Sequence, residues 1–275
     1  MDPFASPNAN ATNAMPDLGS ASIYPEGFYR PVTRFDTMRM IQSPFKSPNW
    51  VMNLVWMFLC QLAGIVMVGG IVAFGYMAEV AEARSGGRSD DWPDFKAEKL
   101  TDYLLRGLWP FLWNLIWNMA LYFIVGVPAL ITVFLFRMLM GGGQDVAGMI
   151  VAIVGGGVSV ALAVFGMVIM TASMIHSALG NDFMKGADIA WLSSYVSKMT
   201  VTSIVVGLIY TFVFFVFGAI GLLLFCIGLL VVVPLMYLMA ADATAQLHDI
   251  FVSRGGRPAF GGNAADEIID ASVVV

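Results

Sequence analysis

Charge is scarce in this chain: Asp, Glu, Lys and Arg make up 12% of its 275 residues, against 59% hydrophobic. Soluble domains carry about 25% charge, so a fold that hides this much apolar surface from water is excluded. Histidine and cysteine are nearly missing, two of each. His176 and His248 leave little room for metal or triad chemistry. Cys60 and Cys226 both lie inside apolar runs and read as small core residues, with no disulfide framework or zinc site. No basic stripe accompanies the net charge of −5, so nucleic acid is not an expected partner. No H-E-x-x-H or G-x-S-x-G occurs, and GGGQD at 141–145 lacks the Gly-Lys-Ser/Thr of a phosphate loop. The reading is therefore no enzyme, no catalytic residue, no metal and no cofactor. The N-terminus also lacks a basic region followed by an apolar one, so no cleaved signal is expected there.

What the chain has in quantity is long apolar blocks, of the length that crosses a bilayer. They run from Trp50 to Met77, Phe111 to Met140, Val146 to Leu179 and Val201 to Met239. The last has no charge and suits two helices, with Gly218-Ala-Ile-Gly221 supplying the turn. GGGQD separates the second and third blocks in the same way. The fold class is all-α: a polytopic transmembrane helical bundle of about five membrane segments. Residues 1–42 read as a disordered or weakly ordered tail, 43–253 as the transmembrane domain and 254–275 as a flexible tail.

Lys and Arg near span ends set orientation. The connections 79–109 and 180–200 and the C-terminal tail carry nine of them, the intervening turns only Arg137. Those three segments are therefore expected in the cytoplasm, with the chain multi-pass in the cytoplasmic membrane. The first block either crosses once or re-enters. Re-entry places the N-terminal cations with the rest and leaves Arg137 alone opposite; Gly64, Gly69 and Gly70 permit the bend.

Two connections have an amphipathic helical period. Asp182–Met199 sets Phe183, Ala187, Trp191, Tyr195 and Met199 on one face, and Lys96–Leu108 sets Leu100, Tyr103, Leu104 and Leu108 together. Both are expected to lie as interfacial helices at the cytoplasmic surface. Before the second stands SDDWPDF (89–95), with Asp90, Asp91, Trp92 and Asp94. Its structural reading has Asp91 and Asp94 capping the helix, Pro93 in its first turn and Trp92 at the interface. Its functional reading is a partner-docking loop.

SPFKSPNW (43–50), Gly75-Tyr76, DDWPDF with Gly107 after it, the DF-x-K-x-A-D pattern at 182–188 and Pro234 in the last span together resemble a known family. It is a group of uncharacterised bacterial and archaeal membrane proteins, domain of unknown function 4013. The resemblance runs from about Phe45 to Phe251 and implies an integral membrane fold, with no activity or binding residues to carry over.

Polar residues inside spans are the remaining functional candidates. Asn114 and Asn118 sit one turn apart; His176 ends the third block; Asp242 begins a cluster with Thr244, Gln246, His248 and Asp249 that could meet His176 or Arg106. Small residues from Gly148 to Ala163 form a row suited to close helix packing. Two functions follow. One is a non-catalytic scaffold or accessory subunit binding a partner or lipid at its cytoplasmic face. The other is a small-solute or lipid transporter with a path lined by Asn114, Asn118, His176 and Asp242. Expected partners are membrane lipids together with another membrane or cytoplasmic protein or a second copy of the chain.

Overall fold

Hydrocarbon offers backbone N–H and C=O groups no partner, so an apolar block that enters it folds as helix. The computed structural model describes residues 32–64, 67–85, 92–223 and 227–259, and they contain helices and no strand. Expectations for the tails beyond those limits, for Asp90 and Asp91 and for Cys226 lie outside the described residues. Helices α1 (Thr37–Gln42), α2 (Trp50–Ala63), α3 (Val68–Arg84) and α4 (Leu100–Leu121) come first. A π-helical turn, Tyr122–Gly126, joins α4 to α5 (Val127–Gly141); α6 (Asp145–Gly180), α7 (Ile189–Leu223) and α8 (Ile227–Ser253) follow. Four helical stretches are long and apolar enough to cross a membrane: Ala97–Gly141, Asp145–Gly180, Ile189–Leu223 and Leu230–Ser253. The chain is an all-α, multi-spanning membrane protein.

The first apolar block turns back on itself. Met67 takes the left-handed conformation at φ 64°, and Gly69 sits so close to α2 that a Cβ there would lie 1.8 Å from the Cys60 carbonyl oxygen. Asn53 of α2 and Tyr76 of α3 then both reach the segment 93–95. Helices of 14 and 17 residues are about 21 and 26 Å long, short of the roughly 30 Å hydrocarbon core. The block is thus a hairpin that returns to the end it started from. α1 lies at that end too, its Asp36 N-cap bonded to Gln246 near the end of α8. Ordered structure therefore begins before residue 43, with Met40 fully buried.

α3 crosses α4 with almost no side chain between them. A Cβ on Gly75 would stand 1.9 Å from the Tyr103 carbonyl oxygen, and one on Gly107 would stand 1.8 Å from that of Ile71. α4 and α5 run antiparallel to α6, joined through the 141–145 turn, where Gly143 has φ 74°. The row of small residues on α6 faces them in part: Gly148 meets Met140 and Gly155 meets Thr132, whereas Gly156 faces open space.

Two expectations change. The amphipathic segments are not separate interfacial helices: after a short 3-10 turn, Ala97–Lys99 or Met184–Ala187, the rest of each is the start of a spanning helix, α4 or α7. Their aromatic faces pack inward: Trp191, Tyr195 and Met199 join Ala172, Ile175 and Phe251 in one core cluster. Protein, rather than the headgroup layer, covers them. The turn in the last block also falls later than expected. α7 runs straight through Gly218–Gly221, and Gly221 instead meets Gly228 of α8, where a Cβ would be 2.5 Å from the Gly221 Cα.

Burial is uneven along the bundle. Core clusters gather at the end that holds α1 and residues 92–99 and 254–259, here named the basic end. Towards the other end large apolar side chains point outward: α5 buries none, and Phe134, Ile153 and Phe212 are among those exposed. Lipid can solvate such a surface and water cannot.

Candidate functional site

α3 ends on a face of small and apolar residues, Gly69, Val72, Tyr76, Val80 and then Arg84, all buried. Arg84 is a loop cation by sequence, but its side chain is fully enclosed. Its Nε donates to Asp242 of α8, also fully buried. Arg39 of α1 joins them, 3.4 Å from the same carboxylate and 3.1 Å from the Arg84 carbonyl oxygen. Gln246 completes the set: its Nε2 donates to Asp242 Oδ2 at 2.7 Å and to the Asp36 carbonyl at 3.1 Å, and its oxygen accepts the Asp36 N–H at 2.7 Å. Buried charge is tolerable only with such partners. The network holds α1, α3 and α8 to one another at the basic end.

Next to it, Ser85 contacts His248 Nδ1 at 3.0 Å and donates to Asp249 Oδ1, while the Ala259 N–H donates to His248 Nε2 at 3.0 Å. Serine, histidine and aspartate together suggest a triad, but their roles are inverted. Nε2 accepts a proton-bearing N–H, which assigns the ring proton to Nδ1. Nδ1 then donates to the serine oxygen and cannot withdraw its proton, as a nucleophile's base must. All three side chains are buried. The cluster fastens the end of α3 and the segment 254–259 to α8.

SPFKSPNW and DDWPDF interlock. Asp94 accepts from Ser47 Oγ at 2.8 Å, Asn49 Nδ2 at 2.6 Å and Asn53 Nδ2 at 3.3 Å, and Asn53 in turn accepts the Phe95 N–H. Burial pushes the Asp94 carboxyl pKa upward, but these bonds, chiefly the one from Asn49, outweigh it and hold the group below the usual carboxylate range. Asp94 therefore does not cap α4, and Pro93 lies outside any helix. Trp92 is buried under Arg84, whose guanidinium lies 5.2 Å from the ring centroid. Phe95 stacks on Trp56 and meets Tyr76 and Tyr103. The described half of the loop is folded into the protein.

The intramembrane candidates do not converge. Asn114 reaches Met174, and Asn118 points outward, bonded among the described residues only to Asn114. His176 is buried flat against Trp191, 4.2 Å between ring centroids. Asp242 meets neither His176 nor Arg106; Arg106 pairs instead with Glu82. That pair, with Lys99–Glu79 at 2.7 Å, lines an open groove of about 430 Å³ together with Ala83, Asp102 and Tyr103. A second cleft of about 140 Å³ lies between α6 and α7, lined by Val164, Met167, Val168, Thr171, Ser203, Ile204, Gly207, Leu208 and Thr211. Among the described residues no group of three or more His, Cys, Asp or Glu could hold a metal ion. The sequence reading missed Arg39 and Arg84; the signal was the buried-face spacing 69, 72, 76, 80, 84, which puts Arg84 in register with the core.

A family model described as a protein of unknown function (DUF4013) matches residues 58–242, so the chain belongs to that family. The match is narrower than the resemblance at both ends. Gly75, Gly107 and the described part of DDWPDF lie inside it, and all three stand where helices or loops meet. No curated protein and no solved structure matches the chain.

Proposed function

We propose that this member of a family without an assigned activity is a non-catalytic membrane scaffold or accessory subunit, whose basic end faces the cytoplasm and docks a partner. Orientation rests on the cations: of the described Lys and Arg, only Arg137 lies at the far end. The observation that carries the docking role is the open groove between α3 and α4. It presents Glu79, Glu82, Asp102, Lys99 and Arg106, and Asp102 is exposed. The buried Arg84–Asp242 pair is held by Arg39 and Gln246, which supports a structural role for it over one in carrying a solute. A photo-crosslinking residue at Asp102 should give one discrete adduct in intact cells, with none from the same residue at Phe215. Loss of that adduct in an E79K/E82K variant supports the groove; an unchanged adduct, or none in the parent, counts against it.

A lipid-handling role is the second reading, and the cleft between α6 and α7 favours it over solute transport. Thr171 and Thr211 donate to carbonyls of their own helices, and Ser203 pairs with Tyr195, so the cleft offers an apolar wall. Movement of a labelled phospholipid between leaflets of vesicles holding the purified chain separates this reading from the first.

A further inference from the structure

Asn118 is a polar side chain exposed on the outer face of a helix long and apolar enough to cross the membrane. Its amide nitrogen is occupied within α4, donating to the Asn114 carbonyl at 2.7 Å and to Asn114 Oδ1 at 3.1 Å. Its amide oxygen accepts nothing among the described residues. One turn on, Tyr122 is 69% exposed, and its hydroxyl likewise makes no hydrogen bond to a described residue. Hydrocarbon satisfies neither group, and each costs free energy until a partner arrives.

The two groups suit each other. Helical side chains lean towards the helix N-terminus, which brings the Tyr122 hydroxyl back towards the level of Asn118. One patch therefore carries an open acceptor and an open donor at similar depth, flanked by the exposed apolar residues Leu115 and Met119. They cannot close on each other within the observed helix, where Asn118 is turned to Asn114. The π-helical turn begins at Tyr122 and leaves both Tyr122 and Phe123 outward; such turns often mark functional positions in helices.

We propose that this face of α4 is where two copies of the chain associate about a two-fold axis along the membrane normal. The Tyr122 hydroxyl of each copy donates to Asn118 Oδ1 of the other. A second copy fits better than an unrelated helix because two-fold association needs a self-complementary patch, and this one holds both halves of the bond. Copies of one chain also share an orientation in the membrane, so equal depths meet. The inference is independent of the docking groove, which lies at the basic end.

The test uses the full chain in lipid vesicles, in a C60A/C226A background whose fold is checked by thermal melting. Energy transfer between labelled copies reports association, and oxidation of M119C or F215C reports the face. Expected are a disulfide-linked dimer from M119C and none from F215C. N118L and Y122F should each weaken association about tenfold. Either change removes both symmetry-related bonds, so N118L/Y122F should be no weaker than a single variant. Energy transfer at the random-collision level for the parent overturns the proposal. So does equal crosslinking from F215C, as do single effects that are absent or that add in the double variant.

Discussion

Arg84, in the last turn of α3, and Asp242, in the second half of α8, form an ion pair with both side chains at 0% exposure. They are 158 positions apart in the chain, and no span of the sequence around either one announces the other. Arg39, Gln246 and the Asp36 backbone gather on the same carboxylate or its neighbour.

Removing one member of such a pair leaves a buried charge. D242A should therefore lower stability by about 3–5 kcal/mol, whereas R84M/D242L, with two apolar residues, should recover part of the loss. Melting of the detergent-solubilised variants measures both, and equal stability of D242A and the parent would contradict the network.

The α3–α4 crossing tolerates no side chain. G107A would drive a Cβ to 1.8 Å from the Ile71 carbonyl oxygen, and a cost of at least about 1–3 kcal/mol is expected. G156A meets nothing within 4 Å and should be neutral or up to about 1 kcal/mol stabilising, since alanine favours helix. The melting temperature should fall for G107A and stay level or rise for G156A.

Asp94 gives a pH dependence with a defined sign. Its pKa is lower folded than unfolded, so its contribution is complete above the unfolded value of about 3.9. It is lost as pH falls through the lower folded value. The melting temperatures of the parent and D94A should differ at pH 7 and converge below about pH 4. A gap that widens in acid would refute the assignment.

Topology follows from the hairpin. Cysteines replacing Lys46, Glu98 and Gly255, all exposed at the basic end, should react with an impermeant maleimide from one side of the membrane. A cysteine replacing Gly142 should react from the other. Labelling of Lys46→Cys alongside Gly142→Cys would mean that the first block crosses once.

Ser85 should stay unlabelled by a fluorophosphonate probe, because the ring proton on His248 Nδ1 points at its oxygen and the site is sealed. S85A should cost about 1–3 kcal/mol through the His248 and Asp249 groups it leaves unsatisfied.

Much of the fold could be read from local pattern. The apolar blocks, the 141–145 turn and the basic asymmetry each depend on nearby residues, and each is where the pattern puts it. The amphipathic segments show the limit. Their periodicity is real, but a face of Trp191, Tyr195 and Met199 looks the same whether it will meet headgroups or the core of α6 and α8. Asp94 shows another, since an acid ahead of a helix is a fair cap until Asn49 and Asn53 are brought beside it.

The sequence by itself determined that helices cross a membrane, roughly where they start and stop, and which end carries the cations. These follow from the free energy of moving each segment from water to lipid, a property of composition and length. Only the tertiary structure decided that Arg84 is buried, that Asp242 answers it rather than His176, and that Asn118 faces outward. Those outcomes depend on helix rotation and crossing, set by glycine contacts such as Gly75 with Tyr103 and Gly107 with Ile71. A one-residue change in either would turn a different face inward.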